Sequence, residues 1–222
     1  MTSFDRSEAS DPTEPNWAHA ALLTIDMQRD FALPEGSAFV EGTDLIIPAF
    51  TDLIHNFRKM ERPIFHAVRL YLEDGSNAER CRRLRVRGGT SIARPGTNGA
   101  RPLDAVQPDT EPDKSSTLLT GEYVPLGVCE WLFYKSRWSA FYRTGLEERL
   151  RALRVDTVVV AGCNFPNCPS ATLFDASERD FRAVLVSDAV SGLADSGGRW
   201  CTGIGVVQLT AEQVAGKIDP NR

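Results

Sequence analysis

The chain has no CxxC pair, only three histidines (His19, His55 and His66) and no HxxH or HxxxH spacing among them. A zinc site, structural or catalytic, therefore has no ligand set to start from, and no cofactor is expected. Basic charge is also short: 25 Lys and Arg stand against 30 Asp and Glu, giving a net charge of -5. That balance excludes the basic footprint that phosphate backbones and anionic membrane surfaces select, so no nucleic-acid partner is expected. Long apolar runs are missing too. The run around Val158–Ala161 falls far short of the roughly 20 residues that cross a bilayer. Glycine-rich GxGxxG spacing, which would suggest a dinucleotide, does not occur.

Five cysteines, Cys81, Cys129, Cys163, Cys168 and Cys201, are scattered and odd in number. With a polar, acidic opening, MTSFDRSEASDPTEP, in place of a signal peptide, they are expected to be thiols in a cytoplasmic protein. Residues 1–18 lack the apolar side chains needed to offset ordering entropy and are expected to form an arm or a disordered tail. Residues 19–222, at 42% hydrophobic for the whole chain, suit one domain with a full core.

Within that domain the pattern alternates. AALLTID (20–26) and PIFHAVRL (63–70) read as strands around an amphipathic helix at 44–60. EWLFYK (130–135), VDTVVVAG (155–162), RAVLVSDA (182–189) and GVVQL (205–209) follow, separated by helices at 145–154, 169–180, near 196–204 and at 210–218 with Thr210 as N-cap. VDTVVVAG is nearly continuous and β-branched, as a strand buried on both faces requires. Six strands interleaved with helices, joined by right-handed crossovers, predict an α/β, Rossmann-like doubly wound sheet, mostly parallel, with helices on both faces. Residues 71–116 break the alternation with RCRRLRVR and a Gly- and Pro-rich stretch. They are expected to be an insertion serving as lid or subunit contact, and the six arginines from Arg80 to Arg94 read first as a solvated charge run.

In open α/β sheets, ligands bind beyond the carboxyl ends of the strands. Three reactive residues stand there: Asp26 after the first strand, Lys135 after EWLFYK, and Cys168 at the helix that follows VVVAG. Pro169 suits the first helical position, which makes Cys168 the expected N-cap. A thiol at the positive end of a helix, beside an ammonium, is expected to ionise below its ordinary value of about 8.5. A carboxylate alongside would take the proton and return it to a leaving group. Each residue alone also reads as a strand-end or buried structural side chain. Together they form a nucleophile, a cation and a general base.

The blocks LLTIDMQRDF (22–31), KSRWSAFYRTGLEERLRALRVDTVVVAG (135–162) and GCNFPNCPSATLFDASERDFRAVLVSDA (162–189) resemble the hallmark blocks of isochorismatase-like cysteine hydrolases in order, spacing and residue type. The resemblance implies a six-stranded Rossmann-like sheet and a catalytic Asp26, Lys135 and Cys168. It also implies an oxyanion hole of the Asn164 and Cys168 backbone NH groups beside a cis Cys163–Asn164 peptide. Such donors are worth roughly 3–4 kcal/mol each in other hydrolases. The chain departs from the pattern at Phe165, Pro166 and Pro169, where the family carries a hydroxyl or acidic residue and then Val, so the pocket is expected to be reshaped.

HAVRLYLEDG (66–75) lacks the His ligands of the family's nicotinamidases, and Cys168 is absent from its vinyl-ether-cleaving isochorismatases. What remains is hydrolysis of an amide, lactam, ureido or carbamoyl carbon–nitrogen bond of a small molecule, without metal. The alternatives are a catalytically silent binding protein of the same fold and a nicotinamidase-like deamidase. A redox pair of Cys168 with Cys163 is disfavoured by the absence of CxxC. Phe31, Trp138, Phe165, Tyr71 and Arg69 are the expected substrate-lining residues, each with an alternative as core or surface. A homodimer or homotetramer is expected, by the same resemblance.

Overall fold

A computed structural model describes residues 11–219, without the side chains of residues 195 and 196. Of the expected arm at 1–18, residues 1–10 lie outside the described residues. Residues 11–18 are tied down rather than loose: the Asn16 amide donates to Thr157 Oγ1 at 3.0 Å and its side chain to Asp156 Oδ2 at 3.0 Å.

The elements run β1 Ala20–Ile25, α1 Arg29–Ala32, α2 Ile47–Lys59, β2 Ile64–Val68, α3 Arg80–Arg87, α4 Ser115–Leu119, β3 Val124–Gly127, β4 Glu130–Tyr134, α5 Leu146–Ala152, β5 Thr157–Gly162, α6 Cys168–Ser177, β6 Arg182–Val190, α7 Asp195–Gly203, β7 Val206–Leu209 and α8 Ala211–Ile218. The sheet has seven strands in the order β3-β4-β2-β1-β5-β6-β7. Six are parallel and match the six expected strands. The seventh, β3, is an antiparallel edge strand paired to β4. Its four residues include Pro125 and Gly127, which sequence patterning counts against a strand but which an edge tolerates because one side of the ladder is free.

β1 and β5 lie at the centre and are buried along their whole length. Alternate residues of each strand feed two cores. Leu22 and Val159 face the side covered by α2 and α8, where Phe50, Leu53, Ile54 and Phe57 line one stripe of α2. Leu23 and Val160 face α5, α6 and α7. Fully burying each large apolar side chain contributes roughly 1.5–3 kcal/mol. Thr210 and Gln213 form a reciprocal capping box that starts α8 as the sequence predicts. Among the described residues no helix is long and apolar enough to cross a membrane.

Chain connection reverses at β1: one half of the sheet grows outward through β2 and β4, the other through β5, β6 and β7. This reversal makes the carboxyl ends of β1 and β5 the place where a crevice forms. Gly162 ends β5 with φ +121°, and a Cβ there would sit 2.2 Å from the Ile25 carbonyl oxygen. Only glycine permits that approach of β5 to β1.

Candidate active site

Three backbone hydrogen bonds set the strand ends in line. Asp26 N donates to Ala67 O at 2.9 Å, Lys135 N to Val68 O at 3.0 Å, and Cys163 N to Ile25 O at 2.8 Å. The residues one step beyond the apolar runs therefore meet at one edge of the sheet. Asp26 turns there with φ +51°, a left-handed conformation that aspartate adopts more readily than most residues.

Lys135 Nζ donates to Asp26 Oδ2 at 2.8 Å, and both side chains are buried. Asp26 Oδ1 is buried without a partner of ordinary hydrogen-bond geometry. Cys168 lies next to it, 4% exposed. Asn167, one residue before the predicted position, is the N-cap of α6; Cys168 is its first residue and Pro169 the second. Thr172 Oγ1 donates to Cys168 O at 2.7 Å and accepts from Ala140 N at 3.0 Å, so the loop carrying Trp138 is tied to the helix that Cys168 begins.

The thiol does not behave as the helix-terminus argument predicts. Burial pushes the Cys168 pKa up, and the Asp26 carboxylate pushes it further by charge and hydrogen bonding, while Lys135 and Arg69 oppose both. Cys163, five residues earlier, is pushed up to about 12 by burial, with Thr43 Oγ1 3.7 Å away. All five cysteines are unbridged.

No cis peptide occurs among the described residues, so Cys163–Asn164 is trans, contrary to what the resemblance implied. The turn is instead fastened through Phe165 N to Ser191 O at 2.7 Å, Asn167 N to Asn164 O at 3.0 Å and Ser170 N to Phe165 O at 3.2 Å. The Asn164 and Cys168 amides take no part in these bonds.

Arg69 is placed more centrally than the sequence suggests. It is 2% exposed, its Nη2 donates to Cys168 Sγ at 3.5 Å, and its Nη1 pairs with Glu79. The ring faces of Tyr71 and Trp138 lie 5.6 and 5.5 Å from its guanidinium carbon. Tyr71 Oη donates to Glu79 Oε2 at 3.0 Å. Burial works against the Arg69 charge, but Asp26 and the other acidic neighbours raise its pKa above the ordinary arginine value. Arg82, from the arginine run, lies 4.9 Å over Trp138, so that run is a helix whose inner edge covers the site.

The remaining expected residues divide. Phe165 shares the Cys168 side of the sheet and meets Trp200 edge-on at 5.8 Å. Phe31 is a buried residue of α1 and packs in the same core cluster as Tyr71. Two residues escaped the sequence reading. Gln28 is fully buried and clamps the Arg69 backbone, accepting from its N at 2.7 Å and donating to its O at 2.8 Å. Glu79 holds Arg69 and Tyr71 from inside the insertion. A polar Gln directly past a strand end was the available signal for the first; Glu79 offered none. Among the described residues no group of three or more His, Cys, Asp or Glu side chains gathers as metal ligands would.

Residues 20–201 match the Isochorismatase domain family. The chain belongs to the isochorismatase family. It is 30% identical over 179 residues to a probable inactive nicotinamidase of Arabidopsis thaliana, covering 79% of this chain and 82% of that one. An N-carbamoylsarcosine amidase of an Arthrobacter species is 25% identical over 178 residues, covering 78% of this chain and 61% of that protein. The crystal structure of an isochorismatase family protein from Desulfovibrio vulgaris is similar with a TM-score of 0.75 at 32% identity, covering 88% of this chain and 96% of that one.

Proposed function

We propose that this isochorismatase-family chain is an amidohydrolase that cleaves a carbon–nitrogen bond of a small amide, lactam, ureido or carbamoyl compound through a cysteine acyl-enzyme. The observation that carries this reading is the buried Lys135–Asp26 pair at 2.8 Å, whose carboxylate acts by charge and hydrogen bonding on the Cys168 thiol. Amidase activity in a relative, the N-carbamoylsarcosine amidase, supports the bond class.

Asp26 takes the thiol proton as the sulfur attacks the carbonyl carbon. The resulting oxyanion is held by the Asn164 and Cys168 amides. Asp26 then protonates the departing nitrogen, leaving a thioester on Cys168. A water, deprotonated by the same carboxylate, attacks the thioester and releases the acid and the thiol. Lys135 keeps Asp26 oriented and offsets the negative charge that the sulfur acquires. Trp138, Tyr71 and Phe165 supply apolar walls of the kind small-molecule sites use.

The test is a screen for ammonia release over small amides, ureas and carbamoyl amino acids, with a ring-opening assay for lactams. Wild type should turn over at least one class while Cys168→Ala turns over none. A silent binding protein, the reading that a probable inactive relative favours, would bind members of the panel without hydrolysing any.

A further inference from the structure

The proposed triad leaves one buried charge at the nucleophile unexplained. Three charged side chains act on the Cys168 sulfur, Asp26 from the end of β1, Lys135 from the end of β4 and Arg69 from the end of β2, and Glu79 from the insertion pairs with Arg69. Lys135 directs its ammonium to Asp26 and to the Arg137 carbonyl. The cation with a donor on the sulfur itself is Arg69.

We infer that Arg69 is a further catalytic residue, which donates to Cys168 Sγ and stabilises the thiolate formed when Asp26 takes its proton, and that Glu79 and Tyr71 of the insertion are the positioning residues that hold it there. A guanidinium suits this role. It stays charged when buried, and its planar fork can satisfy a carboxylate with one nitrogen while the other points elsewhere. Here Nη1 faces Glu79 and Nη2 faces the sulfur. The backbone of Arg69 is fixed on both sides by Gln28, and the aromatic faces of Tyr71 and Trp138 enclose the head group. Glu79 occupies the N-cap position of α3, yet makes no capping bond with its side chain. Its carboxylate is turned inward to Arg69 and Tyr71 instead.

The consequence is that the insertion reaches the chemistry. While α3 is docked, its Glu79 keeps Arg69 on the sulfur; when α3 lifts, the sulfur loses a cation. This inference rests on Cys168 being the nucleophile, but its test reads the sulfur without substrate, so the two can fail separately.

The experiment measures the pH dependence of Cys168 alkylation by iodoacetamide, followed by peptide mapping so that the other four cysteines are counted apart. It compares the full chain with Arg69→Met, Arg69→Lys and Glu79→Ala, each checked for a cooperative melt. Arg69→Met should raise the midpoint by about one pH unit or more and slow alkylation at pH 7 roughly tenfold, with Arg69→Lys in between. Glu79→Ala gives a test of sign. Removing a negative charge would, by field alone, lower the midpoint; releasing Arg69 from its position raises it. A raised midpoint is expected. A folded Arg69→Met with the wild-type midpoint would overturn the proposal. If Arg69→Met does not fold, Glu79→Ala decides, and an unchanged or lowered midpoint overturns it.

Discussion

Lys135 Nζ sits 2.8 Å from Asp26 Oδ2 inside the protein, and the same carboxylate acts by charge and hydrogen bonding on the Cys168 thiol. A buried carboxylate oxygen without a partner of ordinary geometry is rare and calls for an explanation. In the proposed chemistry the same carboxylate takes the Cys168 proton.

This arrangement makes two substitutions act in opposite directions on the same sulfur. Asp26 raises the Cys168 pKa, so Asp26→Asn should lower the alkylation midpoint while abolishing turnover. Lys135 lowers it, so Lys135→Ala should raise the midpoint and slow alkylation at pH 7. Each variant also strands a buried charge, at a cost of about 3–5 kcal/mol, so melting curves accompany the rates. Parallel shifts in the two variants would show that the carboxylate and ammonium do not flank the sulfur as described.

A second network, around Glu130 and His66, should set the acid stability. Glu130 accepts from Arg58 Nε at 2.8 Å and Nη2 at 2.6 Å, and His66 Nε2 lies 2.8 Å from the same carboxylate. A carboxylate only accepts, so His66 donates through Nε2 and accepts at Nδ1 from Thr24 Oγ1, 2.7 Å away. Burial lowers the His66 pKa, outweighing Glu130. Burial alone would raise Glu130, but its bonds to Arg58 and His66 bring it down to about 2. The unfolded chain therefore binds more protons than the folded one as pH falls below the ordinary histidine value, and again below the ordinary carboxylate value. Stability should decline with acid through both windows, the Glu130 contribution being lost as pH falls towards about 2. His66→Gln should flatten the upper window and spare the lower one in melting temperature against pH. An unchanged slope from pH 7 to 5 would mean His66 titrates as it does unfolded.

The insertion is latched by Asp30. Its carboxylate accepts from Ser37 N at 3.0 Å and Ala93 N at 2.6 Å, and a Cβ at Gly99 would lie 2.2 Å from it. Asp30→Ala orphans these donors at about 1–3 kcal/mol each, and Gly99→Ala displaces the carboxylate by contact. Both should speed tryptic cleavage between Arg80 and Arg101 by roughly tenfold or more through easier local opening. Cleavage at the wild-type rate would place the latch elsewhere.

How far the sequence carried this reading depends on which residues speak through pattern. β1 and β5 were legible because buried parallel strands leave continuous apolar runs, and Asp26 and Lys135 were legible because they interrupt such runs at their ends. Cys168 was found by its place before Pro169, one residue off in helix position. β3 was hidden because Pro125 and Gly127 break a four-residue pattern. Arg69 was named, but its inward position was not visible: an arginine past a strand end reads as solvated unless its counter-ion is known, and Glu79 lies ten residues on in a segment with no periodicity. The thiol's direction of shift was missed for another reason. A helix terminus favours the thiolate, but desolvation and the Asp26 charge together outweigh it, and both depend on packing.

The central claim is that Cys168 carries the reaction, and the most direct measurement is product release by purified Cys168→Ala and Cys168→Ser beside wild type, on whichever amide the screen identifies. The account predicts turnover by wild type, with a thioester adduct mapped to Cys168 after acid quench, and no measurable turnover by either variant at unchanged melting temperature. Substantial hydrolysis by Cys168→Ala would contradict it.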